Sequence, residues 1–100
     1  CQLMLAGGKG TISVTANAAP KLMHEMCVAA VAGDTDTATV VNNQLADLHA
    51  AMFFQSNPIP AKWAVCQQGL IGSGIRLPLV PLAEQYYDDV RAALQKADVL

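Results

Sequence analysis

The sequence contains few aromatic residues, few charged residues and no long apolar run. Aromatic residues make up 5% and charged residues 14% of its 100 positions, and the formal net charge is −2. The six lysines and arginines are scattered, so the chain lacks the basic patch with which a protein binds nucleic acid. No segment approaches the roughly 18 consecutive apolar residues that cross a bilayer. We therefore expect neither nucleic acid nor a membrane as a partner.

Cysteine and histidine are too few and too widely spaced for a disulfide framework or a metal site. Cys1, Cys27 and Cys66 form an odd set without the CxxC step that zinc knuckles use. His24 opens the stretch HEMCV, but a zinc-protease helix needs a second histidine where Val28 stands. We expect no metal, and we expect reduced thiols in a cytoplasmic protein.

The glycine-containing stretches lack the motifs of nucleotide binding and of hydrolysis. Gly8 and Lys9 are followed by Gly10 rather than by Ser or Thr, which excludes a phosphate-binding loop. The stretch GLIGSGIRL has the wrong glycine order for a dinucleotide fold, and Ser13 lacks the GxSxG turn of a hydrolase nucleophile. Lys9 and Lys62 are interpreted as solvated, because a Schiff-base lysine needs burial or neighbouring cations. The residues by themselves carry no complete active site and imply no cofactor.

The chain does contain enough apolar residues for a core, and one segment has the pattern of a β-strand. Hydrophobic residues make up 53% of the sequence. In GTISVT, residues 10–15, Ile12 and Val14 alternate with Thr and Ser, and β-branched residues predominate. A single strand leaves both of its backbone edges without hydrogen-bond partners. We therefore predict that this strand pairs with strands outside these 100 residues.

Four helices are predicted from apolar spacing and end signals, over about residues 20–32, 34–53, 58–68 and 82–97. Pro20 starts the first helix, Gly33 ends it, and Asp34 caps the second. The apolar connection 69–81, rich in Gly and Pro, is expected to pack over another part of the protein. The positions expected to face the core are Met23, Met26, Cys27, Ala30, Val31, Val41, Leu45, Leu48, Met52, Leu82, Tyr86, Val90 and Ala93.

Three segments together resemble one protein family. GGKGTISVTANAAP, NPIPAKWAVCQQGLIGSGIRLPLVPL and the closing VRAALQKADVL resemble, in this order and spacing, the C-terminal third of the dihydrodipicolinate synthase (4-hydroxy-tetrahydrodipicolinate synthase) family. The resemblance covers essentially the whole chain. Its most specific part is the NPIPxKW run followed by RLPLxPL.

The fold that the resemblance implies is α/β, a (β/α)8 TIM barrel with an appended helical domain. Such a barrel needs roughly 200 residues or more, so the chain, itself mostly α, is expected to be a C-terminal fragment. Residues 1–33 would form the last strand and helix of the barrel, and residues 34–100 a C-terminal domain of three helices. The resemblance further implies a homotetramer and a need for the missing N-terminal barrel segment.

The activity that the resemblance implies is that of a lyase in lysine and diaminopimelate biosynthesis. Such an enzyme forms a Schiff base between pyruvate and a barrel lysine and condenses pyruvate with L-aspartate 4-semialdehyde, without a cofactor. The family's catalytic lysine and tyrosine would lie upstream of Cys1, so we expect no catalytic residue in this fragment.

One substrate-binding position carries over from the resemblance. The main chain of Ile12 is expected to contact pyruvate, and Gly8 and Gly10 are expected to support the close backbone approach. The alternative is that Ile12 is a packed barrel residue without a ligand contact.

Two other functions remain open. A pyruvate-dependent lyase of the same superfamily, similar to N-acetylneuraminate lyase, is disfavoured by the NPIPxKW run. A non-catalytic helical interaction module fits the moderate net charge and the apolar helix stripe, but it does not explain the unpaired strand.

Overall fold

The computed structural model describes residues 1–100 and consists of α-helices, one 3₁₀ turn and the segments that connect them. The molecule is elongated, with principal extents of 41 × 24 × 21 Å. None of its helices combines the length and the apolar character needed to span a membrane. The elements are α1 (Gln2–Leu5), α2 (Thr15–Ala18), α3 (Pro20–Val31), α4 (Thr35–Ala51), α5 (Ile59–Gln67), the 3₁₀ turn Glu84–Tyr86 and α6 (Tyr87–Lys96).

The core is one cluster of twenty buried apolar side chains, to which every α-helix contributes. Ten of the twenty are alanines, and because an alanine side chain ends at Cβ, helices approach closely where these residues meet. The cluster continues across residue 33, since α3 and α4 pack against each other. The largest side chains that are fully buried include Met26, Leu45, Leu48, Met52 and Leu94.

The turn between α3 and α4 forms as the sequence predicts. Gly33 has a φ of +79°, a conformation that only glycine adopts without strain. The Asp34 carboxylate accepts a hydrogen bond of 3.1 Å from the Thr37 N–H and so caps α4. Hydrogen bonding by Thr37, first through its side chain and then through its backbone, lowers the pKa of Asp34 below its ordinary value.

Most positions expected to face the core do so. Of the thirteen predicted positions, nine are buried, three are half-buried and one is exposed. The apolar spacing therefore predicts the inward faces of the long helices well. The buried ones are Met23, Met26, Ala30, Leu45, Leu48, Met52, Leu82, Val90 and Ala93; Cys27, Val41 and Tyr86 are half-buried, and Val31 is exposed.

Stacked aromatic rings join α5 to α6. Pro58 is the N-cap residue of α5 and Pro60 lies in its first turn, in accord with the predicted helix start. The rings of Trp63 and Tyr87 stack with centroids 4.8 Å apart, and the Arg91 guanidinium lies 5.5 Å from the Trp63 centroid. Because Trp63 has a neighbour on α6 for its ring and a cation near its face, the two helices are held in one relative orientation.

The last helix begins later than the sequence predicts. Ala83 is extended, with φ −66° and ψ 138°, and its N–H donates to Gln55 Oε1 at 2.7 Å. This contact with a distant side chain fixes Ala83 outside the helix, so that the 3₁₀ turn and α6 follow it. Gln55 is 28 residues away along the chain, and for this reason local sequence signals do not reveal the contact.

The connection 69–83 packs over the core only in part. Ile75 and Leu79 are half-buried against the core cluster, as expected. Leu70, Ile71, Leu77 and Val80 are exposed, so these apolar side chains are not buried by the rest of the chain.

The strand predicted over residues 10–15 does not form within this chain. The chain has no regular secondary structure from Gly8 to Ser13, Val14 has helical backbone angles, and Thr15 already belongs to α2. A strand is defined by the hydrogen bonds that it makes with a neighbouring strand, and no other segment of this chain pairs with it. The last barrel strand, expected within residues 1–33, is therefore absent from this structure, whereas the expectation of a mostly helical chain is confirmed.

We predict that Asp34→Ala destabilises the protein by removing the cap of α4. Loss of an N-cap acceptor is expected to lower the melting temperature by a few degrees, measured by thermal unfolding. Asp36→Ala is the matched control, because Asp36 lies in the first turn of the same helix without being its N-cap. An equal loss in the two variants would mean that carboxylate charge near the helix start, and not the cap, provides the stability.

Candidate functional site

The candidate site is the irregular segment between α1 and α2, to which Gly8, Gly10 and Ile12 belong. It begins where α1 ends. Gly7 has a φ of +115°, and the Gly8 N–H donates to the Leu3 carbonyl at 2.9 Å. A Cβ added to Gly8 would lie 2.9 Å from that carbonyl oxygen, so the close approach at Gly8 is to the backbone of α1.

The next four residues make no hydrogen bond within the chain. No backbone donor or acceptor of residues 9–12 is paired, and no side-chain hydrogen bond involves this stretch. The Ile12 side chain is fully exposed, at 104% of its reference area, and Gly10 has open space where a Cβ would be. The backbone around Ile12 is thus available to groups from outside this chain.

Helix α2, which follows the segment, is fixed at both of its ends by side chains of other helices. Thr15 Oγ1 and His49 Nδ1, on α4, are 2.8 Å apart in a hydrogen bond. The Gln68 side-chain amide, next to the end of α5, donates to the Ala18 carbonyl at 2.6 Å. We call these two hydrogen bonds the α2 clamp.

The environment of His49 favours the neutral imidazole. Burial lowers the pKa of His49 below its ordinary value, and the positive charge of the Cys1 amino group lowers it further. In a longer polypeptide an uncharged amide takes the place of that amino group, and burial alone then lowers the pKa of His49. The Thr15 hydroxyl donates to Nδ1 where that nitrogen carries no proton, and Nδ1–H donates to the hydroxyl oxygen in the other tautomer.

Two cavities share Lys62 of α5 as a lining residue, and the smaller one reaches this region. The smaller, of about 280 Å³, contacts α2 and its N-cap through Asn17 and Val14, and contacts the C-terminal part of the chain through Lys62 and Ile71, among others. The larger, of about 450 Å³, is lined by Lys62, by the stacked aromatic pair and Arg91, and by Cys66 and Ser73, among others. No His, Asp or Glu side chain lines either cavity. Neither therefore offers an imidazole or carboxylate base beside a nucleophile.

The chain contains no cluster of side chains suited to a metal ion. No three His, Cys, Asp or Glu side chains come together in such an arrangement, and the three cysteines are free. The candidate site itself offers hydrogen-bonding groups, from the unpaired backbone at residues 9–12.

Sequence reasoning missed the residues that fix this segment. Local sequence patterns assign Thr15 to the predicted strand and give no role to His49 or Gln68. The one available signal was the position of Thr15 directly before the turn, which identifies no partner. His49 and Gln68 are 34 and 50 residues away from the groups they contact.

Similar solved structures define the class of protein. The dihydrodipicolinate synthase from Acinetobacter baumannii, described as chloride inhibited and complexed with pyruvate, matches with a TM-score of 0.94 and 55% identity over 99% of this chain and 34% of that one. A structure described as a monomeric dihydrodipicolinate synthase variant matches with a TM-score of 0.93 and 39% identity, over 99% and 33% of the two chains. By fold and sequence together, this chain is similar to one part of the dihydrodipicolinate synthases.

Sequence comparison then shows the family. The profile of the dihydrodipicolinate synthetase family matches residues 1–97, and the chain belongs to this family. The 4-hydroxy-tetrahydrodipicolinate synthase of Nitrosospira multiformis is 57% identical over 97 residues, which are 97% of this chain and 32% of that protein. The chain thus spans about a third of the length of the curated relatives it matches, and the family resemblance stated from its motifs is confirmed.

Alanine substitution distinguishes the two glycines of the site. Gly8→Ala is expected to destabilise the protein by about 1–3 kcal/mol, because the new methyl group would overlap a backbone oxygen that cannot move away. Gly10→Ala is the matched control and is expected to stay within about 0.5 kcal/mol, since its Cβ would meet nothing. Urea unfolding of the two variants measures the difference. Equal stabilities would show that the approach of Gly8 to α1 is not a constraint on the fold.

Proposed function

We propose that this chain is the C-terminal third of a Schiff-base lyase that condenses pyruvate with L-aspartate 4-semialdehyde in lysine and diaminopimelate biosynthesis. The observation that carries this proposal is the family match over residues 1–97, together with more than half of the residues identical to enzymes of that name. The catalytic lysine and tyrosine would come from polypeptide N-terminal to this segment. We expect the complete protein to act in the cytoplasm without a cofactor.

The unpaired segment 9–12 supports a barrel fragment. In the complete protein, we propose, residues 10–14 pair with neighbouring barrel strands and become the last strand. Residues 1–33 then form the last unit of a TIM barrel, and residues 34–100 an appended helical domain. The support is physical: these backbone groups find no partner within the chain and are exposed, so they are available to neighbouring strands of a longer polypeptide.

The proposed substrate contact is the main chain at Ile12. Active sites of such barrels are formed at the carboxyl ends of the strands and in the loops that follow, and Ile12 lies shortly before the start of α2. In the complete protein, a backbone group of Ile12 that is not taken up by strand pairing would be available to contact pyruvate. Gly8 would support this contact because its backbone packs closely against the end of α1. Gly10 would support it by leaving room for a ligand or a strand on its open side.

Assembly as a homotetramer is part of the proposal and is open to measurement. Exposed apolar side chains such as Val28, Val31 and Val40 are available for contacts with the rest of the barrel or with other subunits. The similar structure described as monomeric makes the oligomeric state a property to determine for the complete protein, by analytical ultracentrifugation.

Borohydride trapping tests the proposed activity. The complete polypeptide treated with pyruvate and borohydride is expected to gain the mass of one reduced pyruvate adduct, and an expressed segment of residues 1–100 is expected to gain none. Product analysis with L-aspartate 4-semialdehyde and with a sugar-acid substrate then distinguishes the synthase from an N-acetylneuraminate lyase-like enzyme. An intact-mass spectrum without an adduct on the complete polypeptide would contradict Schiff-base chemistry.

Substitution of Ile12 tests whether its main chain or its side chain serves the substrate. Ile12→Val retains a β-branched backbone preference and is expected to keep the pyruvate KM within about twofold. Ile12→Gly is expected to raise the pyruvate KM by about two- to fivefold, because ordering a glycine backbone costs about 0.5–1 kcal/mol more conformational entropy. Steady-state kinetics on the complete protein measures both. A similar KM increase in both variants would point to the side chain as the contact.

A further inference from the structure

We propose that His49 and Gln68 are positioning residues for the pyruvate pocket: through the α2 clamp they fix α2, and thereby the backbone at Ile12. This inference rests on the proposed function, since it assigns the clamp to the same site. It gives the helical part of the chain a defined role in substrate binding, although that part carries no catalytic residue.

Within this chain, the segment around Ile12 has no anchor of its own. Residues 9–12 make no hydrogen bond within the chain, and the Ile12 side chain contacts nothing that would bury it. In the complete protein the proposed strand pairing would hold residues 10–14 in the sheet, and the position of the Ile12 backbone along the sheet would then depend on what fixes the ends of the segment. On its N-terminal side this is the contact of Gly8 with Leu3, and on its C-terminal side it is α2.

Helix α2 is too short to be stable without contacts to other parts of the molecule. It contains four residues, and an isolated helix of that length is not stable. Only one side-chain hydrogen bond has both of its partners in α2 or its N-cap. It runs from the Asn17 amide to the Val14 carbonyl at 3.1 Å, and it is local and exposed. The orientation of α2 relative to the rest of the molecule must come from tertiary contacts.

The α2 clamp supplies polar contacts at both ends of this helix. The Thr15 side chain is the one polar residue buried in the molecule, with 2% of its surface exposed, and His49 Nδ1 satisfies its hydroxyl group. A buried hydroxyl without a partner is destabilising, so the pair favours a single position of Thr15. Gln68 satisfies the carbonyl of Ala18, one of the four that a helix end leaves unpaired.

Thr15 lies three residues after Ile12, so a displacement of α2 is transmitted to the Ile12 main chain over a short length of backbone. His49 belongs to α4, whose Leu45 and Leu48 are fully buried. Gln68 follows α5, whose Ala64 is fully buried. The side chains of the clamp thus extend from helices that are themselves rigidly packed, which is the arrangement that positions a site accurately.

Variants of His49 and Thr15 in the complete protein test the proposal. His49→Leu and Thr15→Val each remove one partner of the same hydrogen bond, and each is expected to raise the pyruvate KM about threefold to tenfold, as the loss of one neutral hydrogen bond would. The KM for L-aspartate 4-semialdehyde is expected to stay unchanged. His49→Asn is expected to restore the pyruvate KM in large part, since the Asn amide can reach the position of Nδ1. His24→Leu is the matched control, because His24 is an exposed histidine on α3 outside the clamp.

The double variant and a Gln68 variant identify the route of the effect. If His49 acts through Thr15, the pyruvate KM of Thr15→Val/His49→Leu equals that of either single variant, rather than the product of the two effects. Gln68→Met, which keeps the side-chain length without a donor, is expected to raise the pyruvate KM in the same direction. It also provides an independent readout in the event that His49→Leu does not fold.

Three results would overturn the proposal. One is an unchanged pyruvate KM in His49→Leu and Thr15→Val. Another is a loss of kcat and melting temperature with both KM values unchanged, which would show a purely structural role. The third is a multiplied effect in the double variant.

Hydrogen exchange separates this proposal from the proposed function. Faster exchange of the amides of residues 11–18 in His49→Leu and Thr15→Val than in His24→Leu would show that the clamp fixes this segment, whatever the enzyme's reaction. Borohydride trapping on the unsubstituted protein tests the reaction itself. Unchanged amide exchange in a protein that forms the adduct would contradict the role of the clamp but not the proposed function. Faster amide exchange in a protein that forms no adduct would contradict the assignment of the clamp to a pyruvate pocket.

Discussion

The unpaired backbone of residues 9–12 is the feature on which the proposed site depends. All four residues are exposed and none of their backbone groups has a partner within the chain, so these groups are available to partners outside it. Both flanks of the stretch are fixed, by the contact of Gly8 with Leu3 on one side and by the α2 clamp on the other. A stretch that is fixed at its ends and unpaired between them is suited to receive hydrogen bonds from neighbouring strands or from a ligand.

The helical part provides the frame for that stretch. Its alanine-rich core allows α3, α4 and α6 to approach closely, and the ring pair of Trp63 and Tyr87 fixes α5 against α6. Because α4 and α5 are packed in this way, the side chains of His49 and Gln68 start from rigid positions. Under the proposed function, helices α4 and α5 thus influence a substrate pocket that is formed mainly by other parts of the polypeptide.

The helices were predictable where their signals are local. Pro20, Gly33 and Asp34 mark the ends of α3 and the start of α4, and the observed bounds of three of the four predicted helices differ from the expected ones by two residues or fewer. The strand was not predictable in the same way, because alternation of side chains reports their surroundings and cannot supply a pairing partner. Gly8 and Gly10 look alike in the sequence, and only the position of the Leu3 carbonyl distinguishes them.

The sequence by itself determined the family, through NPIPAKW and the segments around it, and it determined the long helices and their inward faces, because both kinds of signal are carried by residues close together in the chain. Only the tertiary structure decided which side chains fix the candidate site. Thr15 meets His49 across 34 positions and Ala18 meets Gln68 across 50, and neither pair belongs to a local pattern. Such pairs arise because packing of an apolar core brings distant helices together, and the polar groups left at their ends then form hydrogen bonds with whatever group lies within reach.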